Sequence, residues 1–262
     1  MGTNHLFVKL FMVVAINMLW LGCSTAQQYS SARIFAHNDY VRAQPFYTAY
    51  DLQVGYIEAD IFLEGSQLLV AHHKHEIDTG KSLESLYLQP LRNKIKANNG
   101  FVYANHKAPL TLMIDLKTEG RETLKALATK LGKYPELVSS PTLQIMISGN
   151  VPPPDEWNQY PSFIYFDGRP GIPYTADQLK RISMISTSFP SHVKWDGTTR
   201  IPEADQKKIA ALIDAAHAHG KKFRFWATPD FENAWKELMR LQMDVIVTDK
   251  VEALSTFLTQ KE

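Results

Sequence analysis

From Ser31 onward, short apolar runs rich in β-branched residues alternate with longer stretches whose apolar residues fall three and four apart. Nine runs read as strands: 33–37, 55–62, 67–72, 110–116, 143–148, 163–166, 182–186, 222–226 and 244–248. Helical spacing runs through 119–131, 202–219 and 230–241. Strands separated by helices pair in parallel, and so many of them are accommodated most simply by closure. The expected fold is therefore α/β, a TIM-type (β/α)8 barrel, with an open doubly wound sheet as the alternative. Nine strands for eight staves leaves one outside the barrel. It is expected in the pair joined by the tight turn Glu64-Gly65-Ser66. Pro152-Pro153-Pro154 reads as a rigid connection between elements, so residues 31–262 are expected to form a single domain.

The first residues follow another pattern. An apolar run from Leu6 to Leu21, broken by Lys9 and Asn17, gives way to Gly22-Cys23-Ser24-Thr25-Ala26. That order is a signal peptide over residues 1–26. Its core, Phe11 to Leu21, is shorter than the roughly 20 residues of a membrane span. Cys23 is the single cysteine, so no internal disulfide can form, and its position resembles the lipidated cysteine of a bacterial lipoprotein. Cleavage near Ala26 and a retained anchor are the alternatives. The expectation is an exported bacterial protein, periplasmic or membrane-anchored through a lipid on Cys23.

Composition narrows the partners. Of 262 residues, 45% are hydrophobic and 21% charged, ordinary for a soluble fold, and the formal net charge of +1 gives no reason to expect nucleic acid. The chain has no glycine-rich phosphate loop.

The chemistry gathers where strands end. In a β/α barrel the carboxyl ends of the staves converge on one mouth, so groups distant in sequence meet there. Glu58 and Asp60 alternate with Ile57, Ala59 and Ile61, which puts both carboxylates on one side of a strand. Facing the helices they would be desolvated with nothing to offset the cost, so they are expected at the mouth. Asp115 is again an acid embedded in an apolar strand. Three carboxylates together repel one another unless a cation sits among them, and oxygen donors suit Mg²⁺ or Ca²⁺ over Zn²⁺. One divalent cation is thus expected on Glu58, Asp60 and Asp115. His37 and His72 follow aliphatic strand residues and are placed to act as acid and base. Lys117, two beyond Asp115, would direct an ammonium at a phosphate, and Arg42 is a second clamp candidate. Trp226 is a candidate apolar wall for substrate.

In order, Ala36-His37-Asn38-Asp39, Ile57-Glu58-Ala59-Asp60-Ile61, Val70-Ala71-His72, Ile114-Asp115-Leu116-Lys117, Phe225-Trp226 and Val247-Thr248-Asp249 resemble the phospholipase-C-like phosphodiesterase superfamily. This superfamily includes glycerophosphodiester phosphodiesterases, phosphatidylinositol-specific phospholipases C and sphingomyelinase D-type enzymes. The resemblance implies His37 and His72 as acid/base pair and Glu58, Asp60 and Asp115 as holders of a divalent ion beside the phosphate. Glycerophosphodiesterases usually have arginine directly after the first histidine and then a proline-glutamate-asparagine motif; here Asn38 and a bare Gln44-Pro45 stand instead. Asn38 joins the phosphate-binding candidates. Asp115 looks closer to the sphingomyelinase D-like branch, and the His-Asn-Asp opening resembles an uncharacterised bacterial and fungal group, with Phe166-Asp167-Gly168-Arg169 as a further shared feature.

The expected function is a metal-dependent phosphoric diester hydrolase acting on a glycerophosphodiester or phospholipid-type substrate. Two alternatives are a non-catalytic ligand-binding lipoprotein and a glycoside hydrolase using Glu58 and Asp115. The latter leaves both histidines without a task.

Overall fold

The computed structural model describes residues 29–260. The expected signal segment and Cys23 lie outside the described residues. All nine strand readings correspond to strands: β1 (Ile34–Ala36), β2 (Tyr56–Glu64), β3 (Gln67–Val70), β4 (Leu110–Leu116), β5 (Leu143–Gly149), β6 (Ile164–Gly168), β7 (Ile182–Ser188), β8 (Lys222–Trp226) and β9 (Ile246–Thr248). The helices between them are α1 (Tyr47–Asp51), α2 (Gln89–Ala97), α3 (Gly120–Leu131), α4 (Pro135–Val138), α5 (Ala176–Arg181), α6 (Glu203–His217), α7 (Glu232–Arg240) and α8 (Val251–Thr259).

The sheet runs in the order β8-β7-β6-β5-β4-β2-β1-β9, every neighbour parallel, while β3 hangs antiparallel on β2. The extra strand is thus one arm of the hairpin around Gly65, whose φ of 61° suits a residue without Cβ. The remaining eight form a nearly closed barrel. At the seam between its two path ends a side chain bridges: Phe223 N donates to Asp244 Oδ2 at 2.8 Å, and His217 Nε2 lies 2.7 Å from the same oxygen.

Alternation sorts the side chains into an outer and an inner set. Outward residues such as Ile57, Leu112, Ile145, Phe223 and Phe225 join the large core shared with the helices. Inward residues form a second, smaller cluster of Phe35, Tyr56, Met113, Met146, Met184, Val245 and Val247. Register then stacks the layers. Asp60 pairs with Asp115 and Asp115 with Ser148, one step above the level of Glu58, Met113 and Met146. The barrel axis is therefore apolar at its middle and polar at its carboxyl mouth.

Candidate active site

Five strands supply the acids and bases. His37 follows β1 and its backbone N–H bonds Thr248 O at 3.1 Å, which ties the end of β1 to β9. Its Nδ1 lies 2.8 Å from Asp249 Oδ1 and its Nε2 3.5 Å from Glu58 Oε2. Burial pushes the imidazole pKa down, but the Asp249 bond and the Glu58 charge more than offset it, and the net shift is upward. Asp249 is correspondingly held below the carboxylate range by its bond to His37.

His72, two residues past β3, sits on the other side of the acids. Its Nδ1 is 3.2 Å from Asp60 Oδ2 and 3.2 Å from the Tyr40 hydroxyl. Tyr40 donates to the same Asp60 oxygen at 2.8 Å, and Lys117 Nζ reaches it at 2.8 Å as well as Asp115 Oδ1 at 3.0 Å. Asp60 is thus the junction between one histidine, one phenol and one ammonium.

Glu58, Asp60 and Asp115 each offer an oxygen within 4.8 Å of the others. Burial, reinforced by the neighbouring Asp60 and Asp115 charges, pushes the Glu58 pKa up to about 7 against the pull of His37 and Arg224. Burial raises Asp115 too, despite Lys117. Lys117 is itself lowered by burial, yet the two carboxylates around it leave its pKa raised. Three crowded acids, two of them buried, are under-neutralised by the Lys117 ammonium, and a hard divalent cation fits that donor set.

A stability prediction follows. Glu58 is protonated in the folded, metal-free protein at pH values where the unfolded chain, with an ordinary glutamate pKa of 4.5, has already lost that proton. The stability this contributes is complete below about pH 4.5 and is lost as pH rises towards about 7. The Tm of metal-free protein should fall over this window, and Glu58→Gln should flatten the fall. An unchanged slope in the variant would remove Glu58 as its source.

The cavity among these groups has a volume of about 300 Å³ and is lined by His37, Glu58, Asp115, Lys117, Arg169, Arg224 and Trp226 together with Met113, Ser148 and Gly149. Gly149 holds φ at 76°, and a Cβ there would lie 2.5 Å from Asp115 Oδ1. Only glycine lets the chain turn this close to the acid.

The structure thus brings together His37, His72, Glu58, Asp60, Asp115, Lys117 and Trp226. Asn38 holds a left-handed conformation with φ of 48°, which aims its N–H at Glu58 Oε2 (3.2 Å) and its amide at Asp249 Oδ1 (3.2 Å). The Tyr40 hydroxyl also lies 2.8 Å from Asn38 Oδ1. Asn38 therefore braces the acids and His37.

Arg42 faces the buried Asp39 beside the site, and its charge helps to hold Asp249 below the carboxylate range. Its Nε lies 3.4 Å from Asp39 Oδ1, because Asp39 is fully buried and needs a counter-charge beside the Phe46 N–H (2.6 Å) and the Tyr87 hydroxyl (3.0 Å). Four residues of the site escaped the sequence reading as functional groups: Tyr40, Arg169, Arg224 and Asp249. Arg224 alternates with Trp226 and shares its face, and Arg169 and Asp249 stand in motifs that carry the resemblance; Tyr40 had no signal beyond its closeness to His37.

Comparison with known proteins sharpens the picture. Residues 24–137 match the AIM6-like phosphodiesterase domain, and residues 222–252 match the glycerophosphoryl diester phosphodiesterase family. The two matches cover the ends of the chain that carry His37, Asp115 and Trp226 or adjoin them. Both matched families fall in the phospholipase-C-like phosphodiesterase superfamily that the sequence resembles. Similar solved members share the barrel. A glycerophosphodiester phosphodiesterase from Parabacteroides distasonis superposes with a TM-score of 0.55 at 13% identity, over 87% of this chain and 97% of that one. A putative glycerophosphoryl diester phosphodiesterase from Agrobacterium tumefaciens gives a TM-score of 0.50 at 12% identity, over 87% and 98%.

Among curated relatives, the altered inheritance of mitochondria protein 6 homolog of Arthroderma benhamiae is 26% identical over 84% of this chain and 82% of its own length. Altered inheritance of mitochondria protein 6 of Eremothecium gossypii is 26% identical over 86% and 69%, and a protein of the same name from Kluyveromyces lactis is 28% identical. These relatives are fungal. They overturn the expectation of a bacterial periplasmic or lipid-anchored protein and point to a eukaryotic one. The apolar leader misled because the same run of residues is compatible with targeting in more than one kind of cell.

Proposed function

We propose that residues 31–262 form one phosphoric diester hydrolase domain in which His37 and His72 are the acid/base pair and Glu58, Asp60 and Asp115 hold one Mg²⁺ or Ca²⁺. A single observation carries this reading: two imidazoles flank one acid trio, His37 against Glu58 and His72 against Asp60, at one barrel mouth. A cation bound there supplies charge for a nonbridging phosphate oxygen as negative charge builds in the transition state.

The chain's own residues do the rest. Asp249 takes Nδ1 of His37, and Asp60 with Tyr40 engages Nδ1 of His72, so each ring is oriented with Nε2 as its working nitrogen. One ring takes the proton of the attacking hydroxyl and the other protonates the departing alkoxide. Lys117, fixed between Asp60 and Asp115, adds positive charge beside the phosphate. Trp226 forms an apolar side to the cavity. The substrate is a small-molecule or lipid phosphodiester of the glycerophosphodiester or phospholipid type.

The glycosidase alternative fits less well. It gives no task to His37 and His72, which lie against Glu58 and Asp60. The test is hydrolysis of glycerophosphodiesters and phospholipids by purified protein, expected with Mg²⁺ or Ca²⁺ and lost on chelation. Activity indifferent to chelator would sink the metal assignment.

A further inference from the structure

The wall opposite the acid trio carries an excess of positive charge that the proposed chemistry leaves unused. Asp167, at the end of β6, is buried, and its Oδ2 receives Arg169 Nη1 at 2.7 Å and Arg224 Nη2 at 3.2 Å. Ser186 on β7 donates to Oδ1 of the same carboxylate at 2.6 Å. Two guanidinium groups share one carboxylate, so the unit keeps one net positive charge.

Arg224 is the more telling of the two. Its side chain is 3% exposed, yet Nε and Nη1 have no hydrogen-bond partner among the described residues. Its flat face packs 4.3 Å from the Phe35 ring centroid, and it lines the cavity alongside His37 and Glu58. A buried charged donor left unsatisfied costs free energy that a bound acceptor would recover. Arg169 completes the wall by stacking 4.9 Å over the Trp226 ring.

We propose that Arg224, Arg169 and Trp226 form a head-group subsite that accepts an uncharged polyol or anionic head group and rejects a cationic one. This rests on the diesterase reading of the same cavity. Polyol hydroxyls, carboxylates and phosphates can accept from guanidinium N–H groups, whereas a quaternary ammonium has nothing to offer them and adds a further cation to a cavity that already holds Lys117, Arg169 and Arg224. Such an ammonium would seek an aromatic face. The Trp226 face that lines this wall is already covered by Arg169.

Isothermal titration with Mg²⁺ present and two ligands that hold no diester bond, sn-glycerol 3-phosphate and phosphocholine, tests the subsite without turnover. Wild-type protein should bind glycerol phosphate at least about tenfold tighter than phosphocholine, the scale of one charged contact. Arg169→Gln, at a side chain 37% exposed and so compatible with folding, should bring the two affinities together. Arg224→Gln should weaken glycerol phosphate by at least about tenfold, and Arg224→Lys, which keeps the charge, should recover part of the loss if the glutamine variant does not fold. Equal affinities in wild type, an unchanged ratio in Arg169→Gln, or no binding of either ligand would overturn the subsite. Cleavage of bis(p-nitrophenyl) phosphate is followed separately. Selective binding without cleavage would remove the hydrolase reading and leave the subsite standing, while cleavage without selectivity would do the reverse.

Discussion

His37→Ala should lower kcat for diester hydrolysis by about 10²–10⁴-fold, the usual contribution of a positioned acid or base. The ring contacts Asp249 and Glu58 and sits at the cavity wall, so its removal strips a proton carrier from the site without touching the packed interior. The side chain is partly exposed, and the variant should fold with a Tm close to wild type. Added imidazole should restore part of the lost rate, because the vacated space opens onto the cavity. A wild-type rate in the folded variant would end the assignment of His37. His72→Ala is expected to behave likewise, since its ring faces the same acids from the other side.

Asp60→Asn should have the second large effect, and on a different quantity. Asp60 Oδ2 accepts from Tyr40 and Lys117 and adjoins His72, so the substitution loosens the cation, the ammonium and one histidine together. Affinity for Mg²⁺ or Ca²⁺ should fall by more than the about 10–100-fold typical of losing a group that only braces a ligand. Removing a negative charge from three crowded acids should at the same time raise the stability of metal-free protein. Calorimetry of ion binding and a melt without metal measure the two effects, and their opposite signs mark the trio as a cation site. If ion affinity were unchanged, Asp60 would be only a hydrogen-bond acceptor for its neighbours.

Much of the fold was legible because barrel strands announce themselves by a period of two. Leu110-Thr111-Leu112-Met113-Ile114-Asp115-Leu116 reads as a strand without any tertiary information, and the acid inside it reads as a cost that must be offset. The hairpin strand was legible as surplus because Glu64-Gly65-Ser66 leaves no room for a helical crossover. His37 and His72 were legible because they close aliphatic runs. Arg42 could not be oriented from sequence because a loop residue's direction depends on what the loop covers, here the buried Asp39 carboxylate.

Periodicity and residue chemistry alone therefore determined that this chain alternates strands with helices, that hard oxygen donors and imidazoles sit at strand ends, and that the two belong together. Only the tertiary structure decided which alternate set on each strand faces the axis. On β8 the inward set is Lys222, Arg224 and Trp226, and Phe223 and Phe225 go to the helices. Barrel closure makes that choice, since the outer face must bury apolar surface against the helix layer. Closure also set the register that puts Asp60 beside Asp115 and brought Arg224 to Asp167, 57 residues away. Such pairings follow from the curvature of the whole sheet, which no local window of sequence contains.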